Sequence, residues 1–352
     1  MDRRGFVRSA VVAGAGVLSM AGTSRAERIR VIPPPDPAES PGMPGIVPSG
    51  PLGRFLSRVR PGAVATAGAV VAVWLEGAGE PGAPPALTLE EAQRAGELTI
   101  SERGRETVPE LVVDNRGTSF VLLLAGEILL GGKQNRVLRE DLLLPPLSGP
   151  RTVGVYCVEQ GRWSGDRREF EGKQSFAQPG LRGTVMEGAD QRRVWQEVAR
   201  SVAAAAPAAP SPTASYQHVY DQPEMQRHLA QVEERLHAPR TAGALGVAAF
   251  VNGQLSGIDL FGRADLFARH WPKLLRAYAV DAYRLAAAPA LDERALRAEV
   301  TAVLAAAARA RGAQYPSAGA GQRVEFRVSR AGAPLRGAAL VYEGHVVHAA
   351  ML

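Results

Sequence analysis

The chain is predicted to be an α+β protein, with a β-rich N-terminal half of antiparallel or mixed sheet packed against a helix-rich C-terminal half. Three observations predict this. Between Gly62 and Glu159, short apolar runs such as AVATAGAVVAVWL, ELVVDNRG, SFVLLLAG, DLLLPP and TVGVYCVE are separated by tight links, the pattern of strands joined by turns. Beyond Gly188, apolar residues recur at helical spacing, as in Val194, Trp195, Val198 and Val202. A hydrophobic fraction of 46% over 352 residues supplies enough apolar side chain for a sizeable core.

Residues 1–26 open with Arg3-Arg4-Gly5-Phe6-Val7, pass through an Ala/Gly/Val-rich run and end at Ser24-Arg25-Ala26. This is the pattern of a twin-arginine signal peptide with a small-residue cleavage point. The apolar run Ser9 to Gly22 is shorter than the roughly 18 to 20 residues needed to span a bilayer. The segment therefore reads as cleaved and not as a permanent membrane anchor, which places the mature protein in the periplasm after passage through the twin-arginine export machinery. Residues 27–60 form a Pro/Gly-rich tether. Residues 61–352 read as a single α+β domain, β-rich over 61–165, helix-rich over 188–312, with closing strands over 323–352.

Within that domain, Thr88 and Glu91 form a capping box that starts a short helix at Leu89. Asn115-Arg116-Gly117 turns between strands, and Pro145-Pro146 closes another. The polar, glycine-dotted segment Gly161 to Gly188 reads as a long loop. Helices are expected over Asp190 to Ala205 and Gln222 to Leu236, with a Pro/Ala linker at Pro207 to Thr213 between them. Asn252-Gly253 marks a hairpin within Leu245 to Leu260. Two further helices follow, Ala264 to Ala288 and Leu291 to Ala310, and Pro272 predicts a kink or break at His270-Trp271 in the first.

Charge excludes some function classes. Residues 1–26, with four arginines against Asp2, carry three of the six formal positive charges, so the mature chain keeps only +3. No stripe of Lys and Arg interleaved with aromatics appears, and nucleic acid is not an expected partner. Cys157 is the single cysteine, which rules out an intramolecular disulfide and a cysteine-based zinc cluster. A buried structural thiol is the expected role. His345 and His348 face opposite ways if strand-borne, and His218, His228, His237 and His270 share no spacing. No metal site is read from them, and the residues name no cofactor.

The densest chemistry lies between Leu124 and Trp163, where LAGEILLGGKQNRVLREDLLLPP is followed by VGVYCVEQGRW. Charged and amide residues here stand between apolar runs, where a purely structural sheet would keep them to its solvent face. Gly131-Gly132 admits close backbone approach while Lys133 and Arg136 supply cationic donors. Lys133 is one of three lysines in an arginine-dominated chain, which marks a place where a compact ammonium is wanted. The expected site is a polar pocket for a small anionic ligand, nucleotide-like or sugar-phosphate-like. Lys133, Asn135 and Arg136 would hold the anion, Gln134 and Gln160 would orient it, and Arg162 and Trp163 would complete the wall. Glu127 and Glu159 are the candidate acid/base pair. The alternative is a non-catalytic envelope protein in which the KQNR and EQGRW residues form a structural salt-bridge network. Catalysis itself is left open.

The order GE, then G-x-KQNR, then V-x-CVEQGRW resembles the ARG and rhodanese-phosphatase-superfamily-associated protein domain, a prokaryotic family. The resemblance extends to PELVVDNRG at Pro109 to Gly117, VWQEV at Val194 to Val198 and GIDLFGRADLFARHWPKLLRAYAVDA at Gly257 to Ala282. It implies an association with ADP-ribosylglycohydrolases and rhodanese-like phosphatases, and so ADP-ribose or nucleotide chemistry in the neighbourhood. It implies no particular reaction.

Overall fold

A computed structural model describes residues 43–46, 50–104, 109–162, 168–205, 211–239, 241–287, 292–330 and 334–352. The twin-arginine segment 1–26, most of the tether, Trp163 and part of the linker after Ala205 lie outside the described residues. Both element types are present, with strands dominating the first half and helices the second.

Nine strands form one antiparallel sheet. Their spatial order is Met43–Ile46, Gly312–Pro316, Gln322–Val328, Leu335–Tyr342, His345–Met351, Gln254–Phe261, Gly246–Val251, Val70–Glu76 and Arg60–Ala67. Val70–Glu76 shows why the sequence there is apolar at nearly every position. Val71, Val73 and Leu75 belong to the core cluster that also holds Val300 and Leu304 of the helix Glu293–Ala308, while Val70, Ala72 and Trp74 belong to the opposite one. Trp74 there meets Trp271 of the helix Ala264–Asp281 edge to face at 5.0 Å. Asn252 and Gly253, at φ 50° and 74°, make the expected two-residue turn between Gly246–Val251 and Gln254–Phe261.

A second sheet takes the order Phe170–Phe176, Glu127–Gly131, Arg136–Leu138, Gly149–Cys157, Glu110–Asn115 and Leu98–Glu102. Its two outer strands meet again at a Ser101–Glu169 bridge, so the six strands close on themselves at that end into a small barrel. Leu98, Ile100, Leu129, Leu138, Val153, Val155 and Phe170 fill it. Leu142–Leu144, Phe120–Leu123 and Ala86–Leu87 form a three-stranded sheet beside it, whose last pairing is parallel.

Two expectations are corrected. Gly161 to Gly188 is not a long loop, because it contains the strand Phe170–Phe176 and the helix Pro179–Met186. The strand is an outer one whose buried aromatic anchors, Phe170 and Phe176, stand six positions apart around exposed Glu171, Lys173 and Gln174, which hides its period. Of the kink or break expected at His270-Trp271, the break is absent, because the helix Ala264–Asp281 is continuous through Pro272. Burial of Phe267, Trp271 and Leu274 holds it together across the missing N–H donor.

Five ionisable or polar side chains join the barrel region to the large sheet. Arg182 pairs with Asp259 at 2.7 Å and donates from Nε to the Ala125 carbonyl. The Tyr278 hydroxyl donates to the second Asp259 oxygen at 2.6 Å. His348 sits between Asp141 at 2.6 Å from Nδ1 and Asp259 at 3.2 Å from Nε2. Burial works against a charged imidazole there, but the two carboxylates overcome it and raise the His348 pKa.

Candidate functional site

The hairpin that joins Glu127–Gly131 to Arg136–Leu138 carries the KQNR residues, and its tightness explains the two glycines before them. Gly131, at φ 146°, comes so close to the neighbouring strand that a Cβ would stand 2.2 Å from the Glu169 carbonyl oxygen. At Gly132, φ 49°, a Cβ would meet the Phe170 ring at 2.4 Å. Register then brings the two motifs together. Arg136 stands opposite Leu129 on one side and Cys157 on the other.

The strand Gly149–Cys157 ends before Glu159, so Cys157 and Glu159 do not share a continuous strand face. Glu159 instead bridges to Ser215 and folds back on the hairpin. It is 4% exposed. One carboxylate oxygen accepts from the Asn135 backbone at 3.0 Å and from Arg162, and the other from the Thr213 hydroxyl at 2.7 Å. Burial alone would raise its pKa, but the hydrogen bonds from Arg162, Thr213 and Asn135 outweigh that and hold it below the usual carboxylate range. Arg162 also donates to the carbonyls of Gly132 and Gly131 and to the Asn135 side chain. It thereby clips the turn shut. The Asn135 amide reaches Ser215, and Gln134 donates to the Gln160 carbonyl at 3.4 Å. Gln160 itself is exposed, and the Lys133 backbone N–H donates to Glu102 at 2.8 Å.

Arg136 differs from its neighbours. Its side chain is 2% exposed, yet among the described residues its acceptors are the Gln134 carbonyl at 2.8 Å and the Asn135 carbonyl at 3.4 Å, both on Nη1. Its Nε has no partner, and among the described residues no carboxylate lies within ion-pair distance. Burial pulls its pKa down, opposed by Cys157, Glu102 and Glu159 nearby. Arg182, equally buried, has Asp259.

The matching family model, the ARG and Rhodanese-Phosphatase-superfamily-associated Protein domain, covers residues 58–352, the barrel and nearly all of the large sheet. The chain belongs to this family. Comparison with curated proteins and with solved structures finds no match.

In this member of the rhodanese-phosphatase-associated family, Glu127 and Glu159 are not brought together. From the Leu129–Arg136–Cys157 rung, Glu127 lies two residues toward one end of the strands and Glu159 two residues toward the other. Glu127 contacts Lys273 at 2.8 Å, and Lys273 contacts Glu90 at 2.6 Å. Sequence reasoning missed Lys273 and Glu90. The signal was there, because Lys273 is another of the three lysines, set in an apolar stretch after Pro272.

Cys157 is 1% exposed, and its backbone is held at both polar atoms by the Gln191 side chain. Burial pushes the thiol up to about 11, against the pull of Arg136. Cys157→Ala should cost on the order of 1 to 2 kcal/mol, and the native thiol should resist maleimide labelling at neutral pH. Labelling of the folded protein within minutes would contradict this.

Proposed function

We propose that the chain is an exported protein that binds a small anionic ligand, nucleotide-like or sugar-phosphate-like, at the mouth of the barrel. The observation that supports the reading is Arg136. An enclosed guanidinium without a carboxylate is costly, and an incoming phosphate oxygen would supply the acceptor that its Nε lacks. Export rests on the arginine pair and small-residue site within residues 1–26.

Calorimetric titration with ADP-ribose and adenosine monophosphate tests binding. The wild type should bind at least one, and Arg136→Met, which keeps the aliphatic stem and removes the charge, should abolish it at nearly unchanged stability. Failure of the wild type to bind either ligand would remove the reading.

A second reading has its own support. Glu159 and Arg162 are satisfied by each other and by the hairpin, as a structural network requires. On that reading these residues hold the turn in shape and touch no ligand.

A further inference from the structure

A cleft of about 1000 Å³ opens on the flank of the barrel, between the helix Leu89–Arg94 and the outer strands Leu98–Glu102 and Phe170–Phe176. It exists because those strands pair only at the Ser101–Glu169 bridge and diverge beyond it. Gln93 spans the gap, donating to the Phe170 carbonyl at 2.8 Å and accepting from the Gly172 N–H at 2.9 Å. Glu90, on the same helix, lines the cleft and also reaches inward to Lys273.

Behind Glu90 the charges are sealed in. Lys273 is 3% exposed and Glu127 1%. The Lys273 ammonium donates to Glu90 at 2.6 Å and to Glu127 Oε1 at 2.8 Å, while Glu127 Oε2 is buried without a partner. Lys273 and Glu90 are the charged groups that act on Glu127. On the outside the cleft wall carries Arg94, Arg168 and Lys173 together with Glu169 and Glu171; Lys173 is paired with Glu171 at 3.3 Å, while Arg94 and Arg168 are exposed and have no acidic partner among the described residues, which leaves two cations against Glu169.

We propose that this cleft is a second ligand site, separate from the barrel mouth, for a small polycarboxylate or similarly anionic molecule, and that Glu90, Lys273 and Glu127 form the proton-transfer chain that serves it. Arg94 and Arg168 hold the anion, and Glu90 is the group that meets it. Two hops move one proton. An N–H bond of Lys273 breaks as an O–H bond forms on Glu90, and the carboxyl O–H of Glu127 breaks as the N–H bond of Lys273 is restored. Lys273 ends as the ammonium it began as, Glu127 as a carboxylate and Glu90 as the acid facing the ligand. Burial, the largest influence, raises Glu127 to about 7 against the pull of Lys273, so this carboxyl keeps a proton more readily than an ordinary one.

Citrate serves as the probe, titrated by calorimetry near pH 7. The wild type should bind it. The double variant Arg94→Ala with Arg168→Ala should weaken binding at least tenfold, which assigns the heat to this cleft and not to the Arg136 site. Glu127→Gln removes the proton donor and leaves Glu90 a carboxylate against the anion, so it should weaken binding at least threefold. If that variant does not fold, Glu90→Gln, neutral without the relay, should bind citrate at least as tightly as the wild type. No citrate binding, binding indifferent to the arginine pair or to Glu127→Gln, or weakened binding by Glu90→Gln where it stands in for that variant, would each overturn the proposal.

Discussion

Asp259→Ala is expected to cost the fold on the order of 3 to 5 kcal/mol in chemical denaturation at neutral pH. The carboxylate holds Arg182, Tyr278 and His348 at once, and all four side chains are fully or almost fully buried. Its removal leaves two cations facing Asp141 as the remaining acid of the network. Asp259 and Asp141 are both held below the usual range, despite burial that would raise them, by Arg182 and His348. Their contribution is present above the unfolded carboxylate value, about 3.9 for Asp, and is lost as pH falls through their folded values. His348 is raised, so its contribution is complete below about 6.5 and is lost as pH rises through its folded value. Stability curves of His348→Gln should therefore lack the alkaline decline of the wild type. A cost below about 1 kcal/mol for Asp259→Ala would show that the network is no stronger than a surface pair.

Glu159→Ala should cost about 2 to 4 kcal/mol, because it strips hydrogen bonds from Arg162, Thr213 and the Asn135 backbone together. The lower end reflects Arg162, whose side chain is 27% exposed and keeps some water when released. Thermal or denaturant melts give the loss directly. Arg136→Met should behave oppositely, losing ligand and keeping stability. A Glu159→Ala protein as stable as the wild type would leave the structural reading without its basis.

Much of this was legible in the chain. The Thr88–Glu91 capping box forms with both of its hydrogen bonds, and the Asn252-Gly253 turn lies where its residues demanded. The meeting of KQNR with EQGR followed from apolar strands that end in charges of both signs, which must find one another. What could not be read depends on distant partners. Glu127 looked like a companion of Glu159, but strand register carries them to opposite ends, and its ion-pair partner Lys273 arrives from a helix 146 residues further along, bringing Glu90 of the helix Leu89–Arg94 with it. For His348, strand period predicts only that it faces away from His345. Its two carboxylates come from Asp141 and Asp259, which no local pattern links to it. The strand Phe170–Phe176 was lost because an outer barrel strand with one wet side keeps few apolar markers.

The neighbours Val70–Glu76 and Gly246–Val251 are hydrogen-bonded side by side, yet the whole barrel sequence lies between them. A growing chain would therefore produce one of the most apolar strands of the large sheet long before that partner exists, while the barrel can gather from segments made close together. Contacts of such separation form slowly, and an unpaired apolar edge invites association with other chains in the interval. The order of events on this reading is barrel first and large sheet last, with Val70–Glu76 as the segment that a chaperone would have most reason to shield.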